Sequence, residues 1–225
     1  MEQLKDTRII RFPAVRKVRP SVGDLRFRKL VGEEAWARLP EAVRARFGKR
    51  IQNCKAAVYV GEVLECRMSR FGWLLAQLGR LIGSPLPLFR DRDVPAVVSF
   101  TEDAAFGGQF WTRIYGRRNG FPQVVHSSKC FAGPTGLEEY VGCGVGVALR
   151  AEVVDGALYF VSDHYFVGRG RFRLRVPRWL APGSLRVGHI DCNNGWFAFT
   201  LMLRHPMLGE LICQTAMFKD AEVGA

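Results

Sequence analysis

Trp111, Arg113 and Tyr115 alternate along one predicted strand, so their side chains leave the backbone on the same side. Two aromatic walls and a planar guanidinium are suited to an anionic or carbonyl-bearing ligand, provided that face points into a cavity. The competing reading is an outward arginine whose stem covers apolar surface. His164 shares a predicted strand face with Phe160 and Phe166 and would add a proton donor. Glu62 is the lone carboxylate in an apolar alternation through Val58, Val60, Leu64, Cys66 and Met68. Buried there, it would have a raised pKa suited to acid–base work. Gly61 beside it permits the opposite outcome, a bulge that turns Glu62 outward.

Other chemistries lack their signatures. There is no G-x-S-x-G elbow and no cysteine in a recognisable catalytic setting. Gly142-Cys143-Gly144-Val145-Gly146 is rich in glycine, but it opens no helix and has no Gly-Lys-Ser/Thr ending. Alternating glycines of this kind let a ring or another backbone pack closely. The four histidines are solitary. His189 and Asp191 would supply two metal ligands, one short of a site. The expectation is therefore no metal and no cofactor.

Positioning these residues falls to a mainly antiparallel scaffold. Residues 1–23 read as a basic, flexible arm broken by Pro13 and Pro20, and residues 24–225 as a single domain. Two helical pieces follow Asp24, the second covering residues 33–47 with a break at Pro40. A long half-buried strand spans residues 54–68. Residues 70–83 then form a helix apolar on nearly every side, including Trp73 and Leu74; a buried helix reads this way, and so does one that touches lipid or caps and lines a ligand cavity, which is the expectation. From Val94 onward short alternating segments are punctuated by Asn119-Gly120, Asp155-Gly156 and Asn194-Gly195. Connections so short exclude βαβ units. The predicted fold is α+β, mainly antiparallel: a calycin-like barrel or deeply curved meander with N-terminal helices and one capping helix.

Composition agrees with a packed core: 48% of the 225 residues are hydrophobic and 12% aromatic. No apolar run is long enough to span a membrane and no signal peptide is evident, which makes a cytoplasmic location the expectation. The six cysteines are scattered and read as buried, reduced thiols. Net charge is +12, and residues 1–50 carry 14 Lys/Arg against 6 Asp/Glu. Six arginines and no acid lie between His164 and Asp191. Such excess suits nucleic acid or an anionic membrane, although stacking aromatics on the arginine face are missing.

Several stretches together are familiar. They are Leu39-Pro40-Glu41-Ala42-Val43-Arg44, Asp93-Val94-Pro95, Trp111-Thr112-Arg113, Pro177-Arg178-Trp179-Leu180-Ala181-Pro182 and His205-Pro206-Met207-Leu208-Gly209-Glu210-Leu211. In this order and spacing, from about residue 25 to residue 218, the chain resembles the bacterial domain of unknown function 4166 family. The resemblance implies a domain often attached to a reductase similar to saccharopine dehydrogenase, so a separate reductase is one implied partner. The basic arm and the glycine-rich segment depart from the family pattern.

Three functions follow as expectations. The leading one is a binding module for a hydrophobic, lipid-like or aromatic small molecule, with Trp73, Leu74, Trp111, Arg113 and Tyr115 at the site. The second is a cofactor-free cyclase or isomerase using Glu62, Arg113 or His164 in the same cavity. The third is a basic adaptor for nucleic acid or an anionic membrane surface.

Overall fold

The computed structural model describes residues 23–51, 56–169 and 172–221, so the expected arm lies outside the described residues. Three short helices come first: α1 (Arg26–Val31), α2 (Glu33–Ala37) and α3 (Glu41–Phe47). Pro40 sits at the start of α3, where its missing N–H removes nothing from the helix. Strand β1 (Ala56–Met68) leads into α4 (Arg70–Leu78) and a 3-10 turn, Gly79–Ile82. Ten strands follow: β2 (Val94–Asp103), β3 (Gly108–Tyr115), β4 (Gln123–Cys130), β5 (Glu138–Gly142), β6 (Val145–Val154), β7 (Ala157–Arg169), β8 (Phe172–Arg175), β9 (Ser184–Asp191), β10 (Phe197–His205) and β11 (Gly209–Asp220).

Every strand pair is antiparallel. The sheet order is β6-β5-β4-β3-β2-β1-β11-β10-β9-β7-β8, and an additional β6–β7 pairing closes a ten-stranded barrel with β8 as a flap on β7. The turns explain this meander. Cys143-Gly144 and Asp155-Gly156 have both central residues at positive φ, the type I′ geometry that matches strand twist. β5 is the one barrel strand that the hydrophobic alternation did not announce. It is only five residues long and inserts Glu138 and Glu139, both buried, where alternation alone reads a loop.

One mouth of the barrel is plugged by α1–α3. Phe27 packs edge-on against Phe47 and Phe160 at centroid distances of 5.1 and 5.8 Å, with Trp36 and Val43 buried behind them. The opposite mouth is crossed by residues 84–93. There Leu88 donates its backbone N–H to the Gln123 side chain at 2.9 Å, and the Arg117 guanidinium stacks on Phe89.

α4 does not cover that mouth with its large side chains. Gly72 and Ala76 face the barrel and are buried, whereas Phe71, Trp73, Leu74 and Leu78 are exposed. The helix meets β11 so closely that a Cβ at Gly72 would lie 2.0 Å from the Leu211 carbonyl oxygen. The expectation that this helix lines a cavity is therefore corrected: its small residues and the partly buried Leu75 make the contact, and its other large side chains face solvent.

The glycine-rich segment serves packing. A Cβ at Gly142 would stand 2.0 Å from the Ile82 carbonyl oxygen, and the Phe166 ring occupies the space beside Gly146. Among the described cysteines all are free, but only Cys66 and Cys130 are buried. Cys143 and Cys192 are exposed because each falls in or next to a turn, which corrects the expectation that all are core thiols. No described helix is long and apolar enough to cross a membrane.

Candidate functional site

The inner face of β3 carries Gln109, Trp111, Arg113 and Tyr115 by simple alternation. Trp111 is buried, and the Arg113 side chain is 15% exposed, so the guanidinium lies within the barrel. β4 runs antiparallel beside it, with Trp111 opposite Ser127 and Gln109 opposite Lys129. β5 adds Glu139 opposite Lys129. The ladder thus delivers two cations, one carboxylate and a hydroxyl to a single patch of interior wall.

Their geometry is specific. Lys129 Nζ donates to Glu139 Oε2 at 2.5 Å and lies 4.2 Å from the Trp111 ring centroid. Arg113 donates to Ser127 Oγ at 2.6 Å and stands 3.6 Å from Glu139. Burial alone would raise the Glu139 pKa, but Lys129 and Arg113 outweigh it and hold the carboxyl down at about 2. Burial lowers the Lys129 pKa while Glu139 resists that shift. Glu139 is held more closely by Lys129 than by Arg113, and Arg113 Nε is buried without a partner.

Two small cavities flank Trp111 and Phe199. One, about 30 Å³, is lined by Val98, Trp111, Arg113, Tyr115, Gln214 and other residues. The other, about 40 Å³, lies toward the helical plug and is bordered by Tyr59, Gln109, Trp111 and His189. Each has room for a few waters at most. His189 is fully buried among Phe47, Phe197 and Phe199, and neither ring nitrogen has a partner. Burial, helped by nearby Arg46, drives its pKa down to about 3, so the ring is neutral. Arg46 also pairs with Asp191 at 3.4 Å, which separates Asp191 from His189 as a potential ligand pair. No group of three or more His, Cys, Asp or Glu among the described residues stands together to hold a metal.

A larger cleft, about 690 Å³, opens on the barrel flank. It is lined by Phe110, Thr112, His126, Tyr140 and the Gly142–Gly144 turn, and Trp111 and Ser127 border it as well. It exists because β4 and β5 pair over only three residues and then part. The chain from Gly83 to Phe89 runs beside the unpaired part of β4, where the Gln123 side chain holds the Leu86 carbonyl and the Leu88 N–H.

The other predicted site residues lie elsewhere. Glu62 is exposed: the β1–β11 register shifts between Val63 and Glu65, so the strand buries Tyr59 and Val63 before the bulge and Cys66 and Met68 after it. His164 is divorced from Phe160 by a second shift, between Ala148 and Leu149 of β6. It pairs with Asp163 at 2.7 Å, and Asp163 in turn binds the exposed Arg150. Trp73 and Leu74 are on the outward side of α4. Lys129 and Glu139 escaped sequence reasoning, and His189 was reached only as half of a metal-ligand pair with Asp191. The pairing numbers of β3 with β4 are symmetric about Asn119 itself, so centring the hairpin on that one residue would have set Lys129 and Ser127 beside the Trp111 face, whereas centring it on the Asn119-Gly120 pair presents the other face of β4.

Neither curated proteins nor solved structures gave a match to this chain. A family match does exist and covers residues 39–218, from Leu39 ahead of α3 through most of β11. That span takes in nearly the whole barrel and all of the interior charge cluster, and the chain accordingly belongs to the family described as Domain of unknown function (DUF4166).

Proposed function

We propose that the barrel binds an apolar small molecule carrying one anionic or carbonyl group, and that Arg113 anchors that group. The observation that carries this reading is the buried, unpartnered Nε of Arg113, a cation whose one carboxylate among the described residues is shared with a closer lysine. An interior guanidinium left short of acceptors is costly, and a ligand oxygen would complete it. Trp111, Tyr115 and Phe199 supply the apolar surroundings.

Size decides how the ligand sits. The cavity beside Arg113 takes only a head group, whereas the flank cleft has the volume of a small-molecule site. The ligand body therefore belongs in the cleft against Phe110 and Tyr140, with its head passing the place where β4 and β5 part. Displacement of residues 83–89 opens that passage. The catalytic alternative lacks its acid–base groups at this position, because Glu62 and His164 face away from the interior.

Native mass spectrometry of the purified full chain, followed by titration with 1-anilinonaphthalene-8-sulfonate, tests the reading. A retained acidic or carbonyl compound, displaced by the probe in the native protein and absent from Arg113→Ala, is the expected result. Equal probe binding by both proteins would sink the assignment.

A further inference from the structure

An ordinary surface helix turns its large apolar side chains to the core. α4 and the 3-10 turn after it turn most of theirs to solvent. Phe71, Trp73, Leu74, Leu78 and Leu81 are between 48% and 80% exposed, while Gly72 and Ala76, with the partly buried Leu75, make the contact with the barrel. The close approach at Gly72 fixes this orientation, so the exposed face cannot roll inward. Five large apolar groups held in water on one short segment form a patch built for a partner.

The surrounding charge selects the partner. Between Glu65 and Asp91 there is no acid, and Arg67, Arg70, Arg80 and Arg90 are present. Arg70, Arg80 and Arg90 are exposed and make no ion pair among the described residues. A second copy of the chain is disfavoured, because a two-fold contact would set these arginines against themselves on a chain of net charge +12. The basic segment 1–22, with Lys5, Arg8, Arg11, Arg16, Lys17 and Arg19, is mismatched in the same way. An apolar face containing tryptophan, framed by arginines, is the pattern of a helix lying in the boundary of an anionic bilayer.

We propose that α4 and the following turn form a docking surface for an anionic lipid membrane, with Phe71, Trp73, Leu74, Leu78 and Leu81 entering the acyl boundary and Arg70, Arg80 and Arg90 meeting phosphate head groups. The proposal stands on this face alone and holds whether or not the barrel carries a ligand.

The test is co-sedimentation of the full chain with phosphatidylcholine vesicles, with and without phosphatidylglycerol as a quarter of the lipid. Binding should require phosphatidylglycerol and weaken with added salt. The double variant Leu78→Glu, Leu81→Glu should bind at least about tenfold less. Its melting temperature should be unchanged, because both side chains are already in solvent. Trp73→Phe should abolish the blue shift of tryptophan emission on binding while preserving sedimentation. Absence of binding to phosphatidylglycerol vesicles overturns the proposal. So does binding that survives the double variant, which would place the contact in residues 1–22. Self-association that the same two substitutions disperse would assign the face to a second copy and overturn it equally.

Discussion

Lys129 Nζ and Glu139 Oε2 meet at 2.5 Å inside the barrel, with both side chains almost completely withdrawn from water. Glu139→Gln would leave Lys129 and Arg113 without a carboxylate, and a stability loss of roughly 3–5 kcal/mol is expected from such a broken buried pair. Lys129→Met should cost clearly less, since Arg113 remains to neutralise Glu139. Urea denaturation at pH 7 measures both. Equal losses would mean that Arg113 does not share the carboxylate.

The neutral, buried His189 sets an acid limit on stability. Its folded pKa of about 3 lies below the ordinary 6.5, so the unfolded chain binds more protons between these values. Its contribution is complete above pH 6.5 and is lost as pH falls toward 3. At pH 5 the loss from this group alone is about 2 kcal/mol. Glu139 adds a second loss as pH falls from its ordinary 4.5 toward 2. His189→Phe should remove the decline between pH 6.5 and 5 in urea melts and leave the lower step in place.

Arg113→Ala should weaken an anionic or carbonyl-bearing ligand by roughly 1–3 kcal/mol, the worth of a charge-assisted hydrogen bond. Arg113→Lys keeps the charge but loses the planar fork, and should recover only part of the affinity. Isothermal titration of the three proteins with one retained ligand separates the outcomes. Full recovery by lysine would reduce the role of Arg113 to a point charge.

Gly72→Ala gives a sign test for the seating of α4. In a free helix the change is favourable by up to about 1 kcal/mol. Here the new methyl would lie 2.0 Å from the Leu211 carbonyl oxygen, so a net destabilisation of about 1–3 kcal/mol is expected in thermal or urea unfolding. A stabilised variant would show that the helix is free to move outward.

The barrel was largely readable because its turns are punctuated by glycine and its strands alternate. Glu62 and His164 leave the interior for one physical reason, and for Glu62 the outcome is the outward bulge given as its competing reading. Leu64 in β1 and Asp163 in β7 stand at register shifts, and one extra residue sends every later side chain to the opposite face. Glu62 and His164 were both assigned by unbroken alternation across such a point. Arg113 and Trp111 were read correctly as one face because β3 has no shift on either side. Lys129 and Glu139 were missed because charged residues in an alternating strand look solvent-facing, and only the cross-strand register pairs them. α4 was misread because its apolarity signals cover, whereas steric access at Gly72 decides which side touches the barrel.

The seam between β1 and β11 joins the first and last strands of the barrel, pairing Tyr59 with Asp220 and Met68 with Ile212. All other ladders of the ring connect segments much nearer in sequence. Closing so long a loop is entropically the most demanding step, so the meander from β2 to β10 can assemble before this pair zips. On the ribosome the cylinder consequently stays open along one side until β11 emerges. The inner charges Arg113, Lys129 and Glu139 spend that interval in contact with water, and their desolvation is deferred to the moment of closure.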